Sequence, residues 1–176
     1  FQVLGPSGDA APFGRGMPPM PVMDAPCGGC AAKVGPDALS AALKRLDVPP
    51  HPAIAVGIAE AEDVTAIRRP DGLVVQSVDA FPAFVDDPWL VGRIAAVNAL
   101  SDLQAKGIAP VAAMALVTVP KEADAEEVLF QVLAGARVTL DAEGVALSGG
   151  HSTVGPQLVV GFSVTTGLHL WGLAVA

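Results

Sequence analysis

Apolar residues recur along this chain with two different periods, and each change of period marks an element. Over Pro36–Leu46, Leu39, Leu43 and Leu46 fall on one side of a helix. Val48-Pro49-Pro50-His51-Pro52 breaks that helix and leaves His51 exposed between prolines. From 54 to 79 the spacing becomes that of strands, at 54–57, at 64–67 and, after a Pro70-Asp71-Gly72 turn, at 73–79. The last two form a predicted β-hairpin with a carboxylate, Asp63 or Asp79, at the end of each limb. A helix is predicted over 88–107, with Asp86 and Asp87 before it, Pro88 at its first position and Gly107 at its stop. Leu90, Val91, Ile94, Val97 and Leu103 supply its apolar face. Residues 111–119 read as a buried strand ended by Pro120. A second long helix is predicted over 122–142, acidic in its first turn as the helix dipole favours, with Val128, Leu129, Val132, Leu133 and Ala136 inward and Gly144 as its stop. Val145-Ala146-Leu147 reads as a short strand running into a glycine loop at 148–153, and 158–168 alternates as a last strand. Residues 1–26, rich in Gly and Pro and without a period, read as a flexible arm or linker before a domain over 27–176.

Composition narrows the picture. A chain of 176 residues suits one ordinary domain. With 52% hydrophobic and 16% charged residues and no Tyr, its core must be mostly Ala, Val and Leu. The net charge of −8 argues against nucleic acid as a partner, since a phosphate backbone needs a basic footprint. It leaves open a nucleotide held through a metal ion and a few local cations. No apolar run reaches the 18 or so residues of a membrane span, and no basic stretch followed by an apolar core marks a signal peptide. Two cysteines make no disulfide framework, so a cytoplasmic protein is the default expectation. The chain begins with Phe rather than Met, which fits a fragment of something longer.

The candidate chemistry is carried by oxygen ligands and one unusual segment. Asn98 and Asp102, four residues apart, share a helical face beside the small Ala95 and Ala99. They suit a hydrated or phosphate-bound divalent cation, and equally a solvated polar stripe. Glu60 and Glu62 read as solvated, whereas Asp63 and Asp79 adjoin strongly apolar runs and suit a shared cleft. Cys27-Gly28-Gly29-Cys30, with Lys33 close behind, has three readings. It is half a zinc site, a redox dithiol, or a flexible segment presenting a thiol beside an amine that favours the thiolate. The glycines at 149–150 suit either a backbone wrapped around a ligand or a plain turn.

Taken in order, five stretches carry a family resemblance. They are Cys30-Ala31-Ala32-Lys33, Glu62-Asp63-Val64-Thr65-Ala66, Ser77-Val78-Asp79-Ala80-Phe81, the run 92–102 ending Asn98-Ala99-Leu100-Ser101-Asp102, and Ser148-Gly149-Gly150-His151-Ser152. Over roughly 27–168 the chain resembles the N-terminal half of selenophosphate synthetase and, more distantly, aminoimidazole ribonucleotide synthetase and thiamine-monophosphate kinase. The resemblance implies an α/β (α+β) fold, a mixed β-sheet with helices on one face, and a homodimer made by pairing two sheets. Strands containing Val56, Val74 and Val117 are apolar enough to expect such pairing. It implies ATP and selenide as substrates, Mg²⁺ as cofactor, and selenophosphate, AMP and phosphate as products. By the same resemblance Cys30 takes the active-site cysteine position and Lys33 its partner. Asp63, Asp79 and Asp102 become Mg²⁺ carboxylates, while Lys33, Asp79, Asn98, Gly149, Gly150, His151 and Ser152 become nucleotide contacts.

The chain also departs from that pattern. Ser77-Val78-Asp79 stands where stand-alone synthetases usually carry Thr-Asp or Thr-Thr-Asp, so one hydroxyl contact is expected to be lost. The extra Cys27 resembles the form fused behind a flavoprotein oxidoreductase domain, which the proline-rich arm also suits. The family's second domain is expected to be missing from this stretch. Two other readings follow: another ATP-dependent enzyme of the superfamily, a small-molecule kinase or amidine-forming ligase that needs neither Cys30 nor Lys33, and a non-catalytic dimerisation module.

Overall fold

Local signals set the helix ends. A computed structural model describes residues 33–60 and 62–169, so the arm, both cysteines and residues 170–176 lie outside the described residues. In chain order come α1 (Pro36–Leu46), β1 (Ile54–Val56), a 3₁₀ turn (Ile58–Glu60), β2 (Thr65–Arg69), β3 (Gly72–Pro82), α2 (Pro88–Ala105), β4 (Ala112–Pro120), α3 (Ala125–Ala142), β5 (Ala146–Gly155) and β6 (Val159–His169). Asp87 caps α2 by accepting from the Leu90 N–H at 2.9 Å, and Pro88 fills a position whose N–H needs no partner. Asp124 caps α3 in the same way through Glu127. Gly107 and Gly144 follow the two helices at φ of +71° and +68°, where a side chain would be strained.

The strands form one six-stranded sheet in the order β1-β2-β3-β6-β4-β5. Every pairing is antiparallel except β4 with β5, which run parallel and are joined across the sheet by α3. Strand alternation puts Val75, Ser77, Phe81, Ala113, Ala115, Val117, Val119, Val160, Phe162 and Val164 on one face, where α2 and α3 bury them. The two helices touch backbone to backbone. A Cβ built at Gly92 would lie 2.0 Å from the Val132 carbonyl oxygen, and one at Gly135 would lie 1.9 Å from that of Trp89. Mixed sheet and helices on one face are therefore as expected, and no described helix is long and apolar enough to cross a membrane.

Four details differ from the pattern reading. Val97 points outward, because α2 is wedged between the sheet and α3 and buries a broad strip of Val91, Gly92, Ala95, Ala96, Ala99, Leu100 and Leu103. Leu129 and Leu133 are only partly buried, the deep contacts of α3 being Val128, Val132, Ala136 and Leu140. Helix α1 forms where expected but buries nothing, since α2 and α3 already occupy the covered face; Leu39 and Leu46 stay exposed. The glycine loop at 148–153 is instead the body of β5. Leu147 pairs with Ala113 and Gly149 with Met114, so Ser148 is the extra residue of an irregularity, and its Oγ donates to the Ala113 carbonyl at 3.1 Å. Gly150 lies so close to Ala115 that a Cβ would meet its carbonyl oxygen at 2.3 Å. Gly150 thus lets an edge strand dock tightly on β4, while Gly149 has open space around it and is set apart by a φ of +155°.

The second face of the sheet carries no described helix. Val78, Met114 and Leu116 are exposed there, at 61%, 48% and 36%. Val117, expected on such a surface, alternates to the helix side and is buried.

Candidate functional site

Three carboxylates arrive at one corner from three segments. Asp63 leads into β2, Asp79 sits in β3, and Asp102 lies in the last turns of α2. The β2–β3 hairpin pairs Thr65 with Gln76, which brings the start of one strand beside the later half of the other. Alternation then turns Ser77 and Asp79 to the side on which α2 packs. Ser77 is buried, at 5% exposure, and its Oγ lies 2.9 Å from Asp102 Oδ2 and 3.1 Å from the Asp63 carbonyl oxygen. The two acceptors stand 14 and 25 positions away in sequence.

Charge is concentrated here. Burial, followed by the Asp102 charge and a hydrogen bond to that carboxylate, pushes Asp79 up to about 6, against a smaller downward pull from Lys33. Lys33 Nζ donates to Asp63 Oδ1 at 3.0 Å, and this bond with the Asp63 charge raises the lysine, Asp79 and Asp102 adding to the effect. On the other flank Lys106, just after α2, pairs with Glu62 and is raised chiefly by that hydrogen bond. Carboxylates held this close repel one another unless a proton or a cation lies among them.

Among the described residues no three His, Cys, Asp or Glu side chains close into a metal cage. Asp79 and Asp102 touch, while the Asp63 carboxylate is turned to Lys33 and Ser77 reaches only the main-chain carbonyl of Asp63. This donor set fits Mg²⁺, a hard ion that takes one or two carboxylates and fills its remaining positions with water and substrate phosphate.

The other anticipated residues are placed differently. Asn98 is half-buried on α2, one turn before Asp102 on the same face. Gly149, Gly150, His151 and Ser152 lie on the edge strand β5. One row across the sheet runs Asp79, Phe162, Ala115, Gly150, so Gly150 stands three strands from Asp79, about 14 Å at ordinary strand spacing. Phe162 and Ala115 are buried between them, so one chain does not join this run to the carboxylates. His151 pairs with Leu116 and alternates to the uncovered face, as does Thr153, whose hydroxyl is 3.1 Å from that of Thr118. Cys30 lies outside the described residues.

Pattern reasoning missed two features. Ser77 had a signal: two positions before Asp79 in a strand, it must share that residue's face. The Glu62–Lys106 pair had none, because its members are 44 positions apart; Glu62 is solvent-accessible as expected but ion-paired.

Comparison with known proteins follows the same lines. The family described as AIR synthase related protein, N-terminal domain, matches residues 61–168. A curated relative from Pelobacter propionicus, named selenide, water dikinase, is 43% identical over 142 residues, which is 80% of this chain and 41% of that protein. The chain therefore spans about two fifths of that relative's length. Among solved structures, tt0281 from Thermus thermophilus aligns with a TM-score of 0.60 at 23% identity, covering 74% of this chain and 43% of that one. A structure described as AaThiL complexed with AMPPCP and TMP also reaches 0.60, at 15% identity, over 75% of this chain and 42% of that one. These two likenesses are of fold.

Proposed function

Because the chain belongs to the AIR synthase related protein family through its N-terminal domain, we propose that it is the ATP-binding half of a selenophosphate synthetase-like enzyme. The reaction is Mg²⁺-dependent and converts ATP, selenide and water to selenophosphate, AMP and phosphate. The observation that carries this reading is the Lys33 ammonium set on Asp63 beside the touching pair Asp79 and Asp102. Phosphoryl chemistry asks of a protein mainly oxygen ligands for the metal and fixed cations for the phosphates. The name of the Pelobacter propionicus relative and the AMPPCP bound to AaThiL support the same reading.

Asp79 and Asp102, with Asp63, would hold Mg²⁺, which when bound offsets the charge of the phosphate oxygens. Lys33, set on Asp63, would offer its ammonium to a phosphate oxygen and there stabilise charge developing in transfer. Asn98 orients the nucleotide from the neighbouring turn of α2. Cys30, three positions before Lys33, receives the selenium donor. A second copy paired on the uncovered sheet face, with its Val78, Met114 and Leu116, makes the working unit a homodimer. Such pairing brings Gly149, Gly150, His151 and Ser152 toward a partner's nucleotide. The compartment is the cytoplasm, where selenide stays reduced.

Calorimetric titration of the chain with ATP, with and without Mg²⁺, tests the binding half of the proposal, and selenide-dependent AMP formation by the full-length protein tests the rest. Mg²⁺-dependent binding is expected, with Cys30→Ser keeping it and losing turnover. Binding indifferent to Mg²⁺ and to Asp102→Asn would overturn the assignment of the site. AMP formation that ignores selenide would overturn the substrate.

A further inference from the structure

We infer that Ser77 is a positioning residue for the proposed metal and phosphate site: its hydroxyl fixes Asp102 against Asp79 and ties both to the segment that carries Asp63. The inference rests on the Mg²⁺–ATP reading above and gives a role to a side chain which that reading leaves idle. Ser77, Gln131 and Thr166 are the buried polar side chains among the described residues. A buried hydroxyl needs a partner, and Ser77 has two, at 2.9 Å and 3.1 Å, both belonging to segments that deliver a carboxylate.

The geometry explains why this contact controls the site. Asp102 lies on the last turns of α2, on a flexible side chain facing another carboxylate. Facing a second carboxylate, Asp102 keeps its orientation through a donor that fixes it. Ser77 Oγ–H is that donor to Asp102 Oδ2, and because Ser77 and Asp79 sit two apart on one strand, the same backbone sets both ends of the pair. The same single O–H is shared with the Asp63 main-chain carbonyl, 3.1 Å away, as a bifurcated donor, so the start of β2 is held against β3 beside the carboxylate pair. Val78, the neighbouring residue in the motif, points to the opposite face and is no substitute. Ligating carboxylates depend on such outer contacts, whose loss weakens metal affinity by about 10–100-fold.

The test uses Mn²⁺ as a spectroscopic stand-in for Mg²⁺, titrated into the full chain with ATP present and followed by its EPR signal. Ser77→Thr keeps the hydroxyl and adds a methyl group, and Ser77→Val matches that variant in shape with a second methyl in place of the hydroxyl. The Thr variant is expected to bind Mn²⁺ within about threefold of the wild type, and the Val variant about 10–100-fold more weakly. Thr166→Val, which deletes a buried hydroxyl on β6, reports the structural loss alone and is expected to leave Mn²⁺ affinity unchanged. Should Ser77→Val fail to fold by circular dichroism, Ser77→Ala is read by the same criterion. Equal Mn²⁺ affinity in the hydroxyl and hydroxyl-free variants overturns the role of Ser77 and leaves the site standing. A wild type that binds no Mn²⁺ overturns both.

Discussion

At the residue scale, the carboxylate corner is built at the expense of stability. Asp79 titrates near 6 rather than at its ordinary 3.8. The folded chain therefore holds a proton that the unfolded chain has already released between those two values, so this group's contribution to stability falls as pH rises through that window and stays low above it. Asp79→Asn removes the loss. Because the site is partly open to solvent, the variant is expected to be more stable by only about 1 kcal/mol at pH 7.5, with the gain vanishing near pH 4; urea midpoints at the two pH values measure it. The same variant should lose Mg²⁺-dependent ATP binding. Asp63 and Asp79 were readable as candidates in the chain because each adjoins a strongly apolar run, and Asp102 because it shares a helical face with Asn98. The electrostatics were not, for they depend on Lys33 and Lys106 reaching carboxylates 30 and 44 positions away.

At the scale of elements, most local signals were read as they act, although the start of α3 was expected at 122 and lies at Ala125, behind its cap Asp124. Asp87, Pro88, Gly107, Asp124 and Gly144 announce helix ends through contacts that span a few residues. Helix α1 has a clear apolar stripe, but a stripe does not say whether anything covers it. Gly150 of β5 and the glycines of the helix crossing are decided across the fold, by Ala115, Val132 and Trp89. The crossing is where a small change should matter most. Gly135→Ala gains about 1 kcal/mol of helix propensity yet must push α2 away, so a net loss of about 2–3 kcal/mol is expected in equilibrium unfolding. Since Trp89 and Asp102 ride on the same α2, the displaced helix should also bind Mg²⁺–ATP more weakly.

At the scale of the molecule, one sheet face is buried and the other is apolar and uncovered by described residues. In sedimentation at micromolar concentration the wild type is expected to run as a dimer and Val78→Lys, in the middle of that face, as a folded monomer; a dimeric variant would place the interface elsewhere, and a monomeric wild type would overturn the dimer. The strand order has a further consequence, for the history of the chain rather than its final state. β6, the last strand described, lies between β3 and β4 and is the only described strand that joins the hairpin to the β4–β5 pair within the sheet. On a ribosome, α2 can already pack against β3 and α3, but the sheet cannot close until that strand has emerged. For most of synthesis β3 and β4 wait with open edges, each a template for the wrong partner. Chains halted at 155 should then be protease-sensitive and prone to aggregate, while chains carried through 169 should resist, whatever is bound at the carboxylates.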